Sequence, residues 1–369
     1  MILRCACAAL LLGSVLVTTA MPPETTSQPD ESDNSRQACG ASILRDGRYH
    51  NSGGVDITPK SSHASLFYRF FLENRKKQEP VAELPVERRK REDYPKQPDH
   101  KTRITWLGHS AMLIEISGLR ILTDPNFSQR ASPISWAGPK RFTPPPISAE
   151  EIPDLDVVLI SHDHYDHLDY DTIMALKGKT ARFVAPMGVG ERIIKWGVEK
   201  DKVTQLDWWG EFSPGGKVTL ALTPTQHFSA RGIFDRNKTL WGSWVIVGRE
   251  SRVYFSGDTG MFGCFKDIGE RYGPFDFTLM HIGAYADVWP ESHMTPEEAV
   301  QAHLDLRGKT FIPMHWGTFR MAFHPWKEPA ERFYTEALRR EISFATPKAG
   351  QIIENPGPMP MEPWWREME

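Results

Sequence analysis

The sequence predicts one α/β domain of sandwich type, and three observations carry that expectation. Short apolar strands and helix starts mix from Arg103 onward, no internal repeat or linker interrupts them, and several strands run into a histidine or an aspartate. Ligand residues at strand ends suit a fold that gathers its chemistry at one sheet edge. With 369 residues, 40% hydrophobic and 25% charged, the chain is long enough to bury the core such a fold needs. A net charge of -3 gives no ground for a nucleic-acid partner.

Residues 1–20 read as a secretory signal, with Arg4 as the positive start, an apolar or small-residue run over residues 6–17 and a cleavage site at Thr18-Thr19-Ala20. The run is shorter than the roughly 20 apolar residues that cross a bilayer, so the expectation is an exported protein, periplasmic or secreted, with membrane association left open. Cys5 and Cys7 leave with a cleaved signal. Cys39 and Cys264 remain in a compartment that permits a disulfide, and the sequence leaves their pairing open. Residues 21–54 are polar and proline-rich and read as a disordered spacer. An aromatic stretch at residues 65–72 and the basic runs Arg75-Lys76-Lys77 and Arg88-Arg89-Lys90-Arg91 follow. They read either as an arm for anionic lipid or as a short core-covering helix beside a solvated charge run. Spacer and arm together occupy residues 21–102, leaving residues 103–369 for the main domain.

In that domain, residues 103–107, 112–116 and 119–123 form a meander, with Ser117-Gly118 as a tight hairpin. Residues 136–146 make a loop, because Pro144-Pro145-Pro146 suits neither a helix interior nor a central strand. Helices are expected over residues 169–176 and 187–196. Strands follow at residues 202–208, 217–225, 242–247, 252–256, 277–282 and 310–314. Thr295-Pro296-Glu297-Glu298 opens a helix to residue 306, with Thr as N-cap and Pro at the first helical position.

The chemistry begins at Ser161-His162-Asp163-His164-Tyr165-Asp166-His167, directly after an apolar run. On an extended chain alternate side chains share a face, so His162 and His164 converge, Asp163 points away, and Asp166 and His167 follow where the chain turns. Imidazole and carboxylate together suit a divalent first-row ion, zinc first, whose bound water is a nucleophile near neutral pH. Later strands run into His227, Asp258 and His315.

The His-x-His-x-Asp-His pattern at His162, His164, Asp166 and His167, with His227, Asp258 and His315 following in that order, resembles the metallo-β-lactamase superfamily. The resemblance implies a four-layer αβ/βα sandwich and two Zn2+ ions. One ion would be held by His162, His164 and His227, the second by Asp166, His167 and His315, with Asp258 bridging them. A closer likeness is to the N-acyl-phosphatidylethanolamine-hydrolysing phospholipase D group. Thr105-Trp106-Leu107-Gly108-His109-Ser110, Ala137-Gly138-Pro139-Lys140-Arg141, Ile282-Gly283-Ala284-Tyr285 and His315-Trp316-Gly317-Thr318-Phe319 carry it.

That likeness makes His293, just before the Pro296 helix, an assistant to the leaving group, with Asp166 and Asp258 placing the attacking water. His109 falls near the site without a ligand role, and Asp124 orients a ligand histidine. Lys140 and Arg141 read as phosphate contacts or a solvated pair, and Trp136, Trp208 and Trp209 as groove walls or core. His281, His303 and His324 gain no role. Ala286-Asp287-Val288-Trp289-Pro290 departs from the group's Glu-Pro-Arg segment, which bears on headgroup contacts.

The expected activity is cleavage of N-acyl-phosphatidylethanolamine to N-acylethanolamine and phosphatidate, with phospholipid and a membrane surface as partners and a homodimer as a candidate assembly. A lactonase or small-molecule phosphodiesterase on the same scaffold, and a non-catalytic exported metal- or lipid-binding protein, stand as alternatives.

Overall fold

A computed structural model describes residues 39–55, 57–58, 60–61 and 77–368. The signal segment, Cys5, Cys7 and the aromatic stretch at residues 65–72 lie outside the described residues. A short hairpin of β1 (Ile43–Arg45) and β2 (Arg48–His50) precedes the main body. The first half of that body gives β3 (Thr102–Trp106), β4 (Met112–Ile116), β5 (Leu119–Thr123), β6 (Leu155–Leu159), β7 (Thr180–Pro186) and β8 (Val203–Leu206). The second half gives β9 (Glu211–Phe212), β10 (Thr219–Thr223), β11 (Ser243–Val247), β12 (Arg252–Phe255), β13 (Phe275–His281), β14 (Gly308–Met314) and β15 (Ser343–Phe344). The chain then returns to the first sheet as β16 (Ile352–Asn355). The two seven-stranded sheets run β16-β3-β4-β5-β6-β7-β8 and β15-β14-β13-β12-β11-β10-β9.

Strand alternation explains the layering. In β4, β5, β6 and β7, Met112, Ile114, Ile121, Val157, Leu159 and Val184 face the second sheet's core cluster. Their neighbours Leu113, Leu122, Val158, Phe183 and Ala185 join a separate cluster with α1 (Tyr170–Leu176) and α2 (Val189–Lys195). Both faces are therefore apolar, as a sheet covered on both sides requires. Helices α3 (Cys264–Tyr272), α4 (Pro296–Asp305) and α5 (Glu328–Arg339) bury Phe265, Ile268, Val300, Phe333 and Ala337 in the cluster that includes the second sheet. The result is an α/β sandwich of two mixed sheets with helices outside.

Local signals account for many element ends. The β4–β5 hairpin turns at Ser117 and Gly118, with φ of 51° and 79°, the double positive φ that matches strand twist. Asp169 caps α1, accepting from the Thr172 amide. Thr295 and Glu298 close a reciprocal capping box on α4. No side-chain cap marks α5, so its start carries no such signal in the sequence.

Residues 39–54 depart from the expected disordered spacer. They hold the β1–β2 hairpin, bury Asn51, and join the domain through a Cys39–Cys264 disulfide with Cα atoms 5.7 Å apart. This strap has few large apolar residues and is anchored instead by the disulfide and by polar contacts such as the Tyr49 amide to the Asn237 carbonyl, 2.7 Å. The basic run is likewise no free arm. Arg88 donates to the Pro145 carbonyl, Arg89 to the Gly350 carbonyl, and Arg91 pairs with Asp154.

Topology fixes the site. β3, β5 and β6 point one way in the first sheet, and β10, β12 and β14 share a direction in the second. Beyond their C-terminal ends come His109, Asp124, the residue 162–167 turn, His227, Asp258 and His315.

Candidate metal centre

His162, His164 and His227 converge after β6 and β10. His162 Nε2 lies 2.9 Å from His164 Nδ1, and His227 Nε2 lies 3.3 Å from the same atom. Asp166, His167 and His315 form a second group with His109: Asp166 Oδ2 is 2.8 Å from His109 Nε2, 3.2 Å from His167 Nε2 and 3.4 Å from His315 Nε2. Asp258 Oδ2 lies between the groups, 3.1 Å from His167 Nε2, 3.3 Å from His315 Nε2 and 3.9 Å from both His162 Nε2 and His227 Nε2. His293 Nδ1 approaches the same oxygen at 3.9 Å, and its ring stacks edge-on to His227.

The surrounding hydrogen bonds decide which nitrogens are free. Asp124 Oδ2 accepts from His167 Nδ1 at 2.7 Å and from the Ser161 hydroxyl at 2.5 Å, while Oδ1 accepts from the Ser161 amide. With its proton committed to Asp124, Ser161 Oγ accepts from His162 Nδ1 at 2.9 Å. His227 Nδ1 donates to the Ser292 carbonyl at 3.1 Å. The Nε2 atoms of His162, His167 and His227 are thereby left as lone pairs aimed inward, and a carboxylate behind a histidine is the usual support of a ligating imidazole.

Ring nitrogens and carboxylate oxygens gathered at such distances form groups that could hold a metal ion. His167 Nε2, Asp258 Oδ1 and both ring nitrogens of His315 are buried and have no hydrogen-bond partner among the described residues. Burial pushes His162 and His227 well below the imidazole range, holding them in the neutral form that ligates. His315 is pushed up to about 9 although burial opposes it, because the charge of Asp258 and the nearby Asp166 carboxylate favour positive charge there. Burial would raise Asp166 and Asp258, yet the imidazoles around them, His167 first, hold both carboxyls well below the usual range. The donor set fits two divalent ions.

Other expected residues fall around this centre. Asp163 turns away and pairs with Arg192 at 3.1 Å. His109 holds Asp166 and stacks on His315 with centroids 4.0 Å apart. Arg141 is buried, donating to the Ser128 and Asn126 carbonyls and lying 4.4 Å over the Phe319 ring, while Lys140 is exposed. Trp208 is core, donating to the Trp241 carbonyl, and Trp136 is 76% exposed. His281 is buried behind His293, 5.6 Å between centroids, and Asn51 accepts from the His227 amide. A separate open groove of about 1020 Å³, lined by Tyr165, Tyr170, Trp196, Arg231, Asp171 and Asp235, contains none of the centre's histidines or aspartates. Arg231 lies 3.8 Å over the Tyr165 ring.

Residues 119–316 match the model of the beta-lactamase superfamily domain. The chain belongs to the metallo-β-lactamase superfamily. It is 48% identical over 267 residues to an uncharacterized protein of Mycobacterium tuberculosis, covering 71% of each chain. It is 40% identical over 266 residues to N-acyl-phosphatidylethanolamine-hydrolyzing phospholipase D 1 of Caenorhabditis elegans, covering 68% of this chain and 75% of that one. A possible metal-dependent hydrolase from Veillonella parvula shares the superfamily fold, with TM-score 0.56, 18% identity, and 69% and 99% of the two chains covered. These relationships and the His/Asp clusters make the protein a metal-dependent hydrolase.

Proposed function

We propose that the protein is a phospholipase D-type phosphodiesterase that cleaves N-acyl-phosphatidylethanolamine to N-acylethanolamine and phosphatidate. The observation that carries this reading is the pair of buried His/Asp groups that share Asp258, a donor set suited to two ions acting together on a phosphodiester. The likeness to the nematode phospholipase D adds support.

His162, His164 and His227 would hold one Zn2+, and Asp166, His167 and His315 the other, with Asp258 shared. When bound, such ions supply Lewis acidity toward the phosphoryl oxygens and a water acidic enough to attack near neutral pH. Asp166 and Asp258 would orient the attacking water by accepting hydrogen bonds from it. His109 fixes Asp166, and Asp124 fixes His167 directly and His162 through Ser161. Burial pushes His293 well below the imidazole range, so the ring is neutral and keeps one N–H. That N–H would stabilise the leaving oxygen as the phosphorus–oxygen bond breaks. Water oxygen ends on phosphorus and a proton on the released alcohol.

An N-terminal export signal and work at a membrane surface, as a monomer or homodimer, complete the reading. Purified protein incubated with N-acyl-phosphatidylethanolamine, with and without chelator, tests it. Chelator-sensitive release of phosphatidate is expected, and its absence rejects this substrate.

A further inference from the structure

The strap ahead of the superfamily match reaches into the centre. Asn51 is 3% exposed, and its Oδ1 accepts from the His227 amide at 3.0 Å and from Trp241 Nε1 at 3.2 Å. Its Nδ2 donates to the Val55 carbonyl at 3.2 Å, so both ends of the amide are engaged. Trp241 Nε1 also reaches the Thr225 carbonyl, two residues before His227, so Asn51 locks the turn from both sides.

The strap is fastened at both ends. Cys39 is bonded to Cys264 on α3, and Trp209 Nε1 donates to the Gly40 carbonyl. Further along, Arg236 donates to the Ile57 carbonyl, the Lys60 amide donates to the Val288 carbonyl, and Lys60 Nζ pairs with Glu291. Those partners flank two loops. Residues 226–241 carry His227. Residues 288–293 carry His293 and Ser292, whose carbonyl accepts from His227 Nδ1. Gln226 Nε2 donates to the Glu291 carbonyl and ties the loops together.

We propose that Asn51 is a positioning residue for His227 and that the Cys39–Cys264 disulfide fastens the strap presenting it, so that this terminal segment sets how firmly the His162, His164 and His227 donors retain their ion. Asn51 acts through the His227 backbone and touches no reacting atom. The proposal rests on the reading of that trio as metal ligands.

Supports of this kind change metal affinity by about 10- to 100-fold when removed. Full-length protein loaded with Zn2+ is dialysed against a graded zinc chelator, and ions per chain are counted by mass spectrometry alongside thermal melting. Asn51→Ala should release one of its two ions at a chelator strength about tenfold lower than wild type, with the second retained as in wild type. Asn51→Asp keeps an acceptor oxygen for both donors and should restore much of the retention. The double variant Cys39→Ser, Cys264→Ser, which leaves Asn51 in place, should shift the same ion in the same direction. Wild-type retention in Asn51→Ala, or loss of both ions together with melting in Asn51→Ala and the cysteine variant alike, overturns the proposal. Wild-type protein that holds no ion overturns the reading of the centre instead.

Discussion

Asp124 grips His167: Oδ2 lies 2.7 Å from Nδ1, with both side chains fully buried. The same oxygen takes the Ser161 hydroxyl proton, so one carboxylate sets the tautomers of two inward-facing imidazoles, His167 and His162. Asp124→Asn presents an amide N–H to one of those partners and breaks the pattern. Zinc affinity, read by competition with a chromophoric chelator, should fall about 10- to 100-fold while the circular dichroism spectrum stays unchanged. Wild-type affinity contradicts the assignment.

His293 is close to Asp258, and its Nδ1 has no hydrogen-bond partner among the described residues. His293→Gln should retain both ions and lose turnover by about 10²- to 10⁴-fold. Loss of an ion in that variant would make His293 a ligand.

His303 supplies a pH test away from the centre. Burial lowers its pKa to about 4, and its Nδ1 pairs with Thr278 Oγ1 at 2.6 Å. The unfolded chain takes up a proton near 6.5 and the folded chain near 4, so stability present above 6.5 is lost as pH falls through this window. The loss between pH 7 and pH 5 is about 2 kcal/mol from this group. Urea unfolding of wild type and His303→Asn at both values should show a smaller drop in the variant; equal drops would remove His303 from the acid response.

Arg141 donates through Nε and Nη2 to two backbone carbonyls and stacks on Phe319. Lysine cannot reproduce that fork. Arg141→Lys should cost about 1–3 kcal/mol in urea unfolding, from carbonyls left unsatisfied in a buried site. A loss of substrate affinity with unchanged stability would instead favour a phosphate contact.

The clustering of these histidines and aspartates was legible because such residues are costly to bury without a partner, and here they recur at strand ends. Alternating apolar runs likewise marked β4 and β5 at their observed bounds. Asn51 was not legible: it acts through a main-chain N–H, which leaves no residue-type signature at His227. His281 was equally silent, since a lone histidine after an apolar strand looks the same whether it faces a core or another histidine. Arg141 read as a phosphate contact or a solvated charge because sequence does not reveal that its neighbours' carbonyls need donors. Residues 39–54 read as spacer because their anchors are a disulfide and polar contacts, and the composition signal weighs only apolar burial.

The most direct test of the account is to incubate the zinc-loaded protein with a lipid extract in ¹⁸O-labelled water and follow products by mass spectrometry. The account predicts chelator-sensitive loss of N-acyl-phosphatidylethanolamine, with ¹⁸O in the phosphate of phosphatidate and none in the N-acylethanolamine. Label in the released alcohol or a fatty acid, or a lipid profile that chelator does not alter, would contradict it.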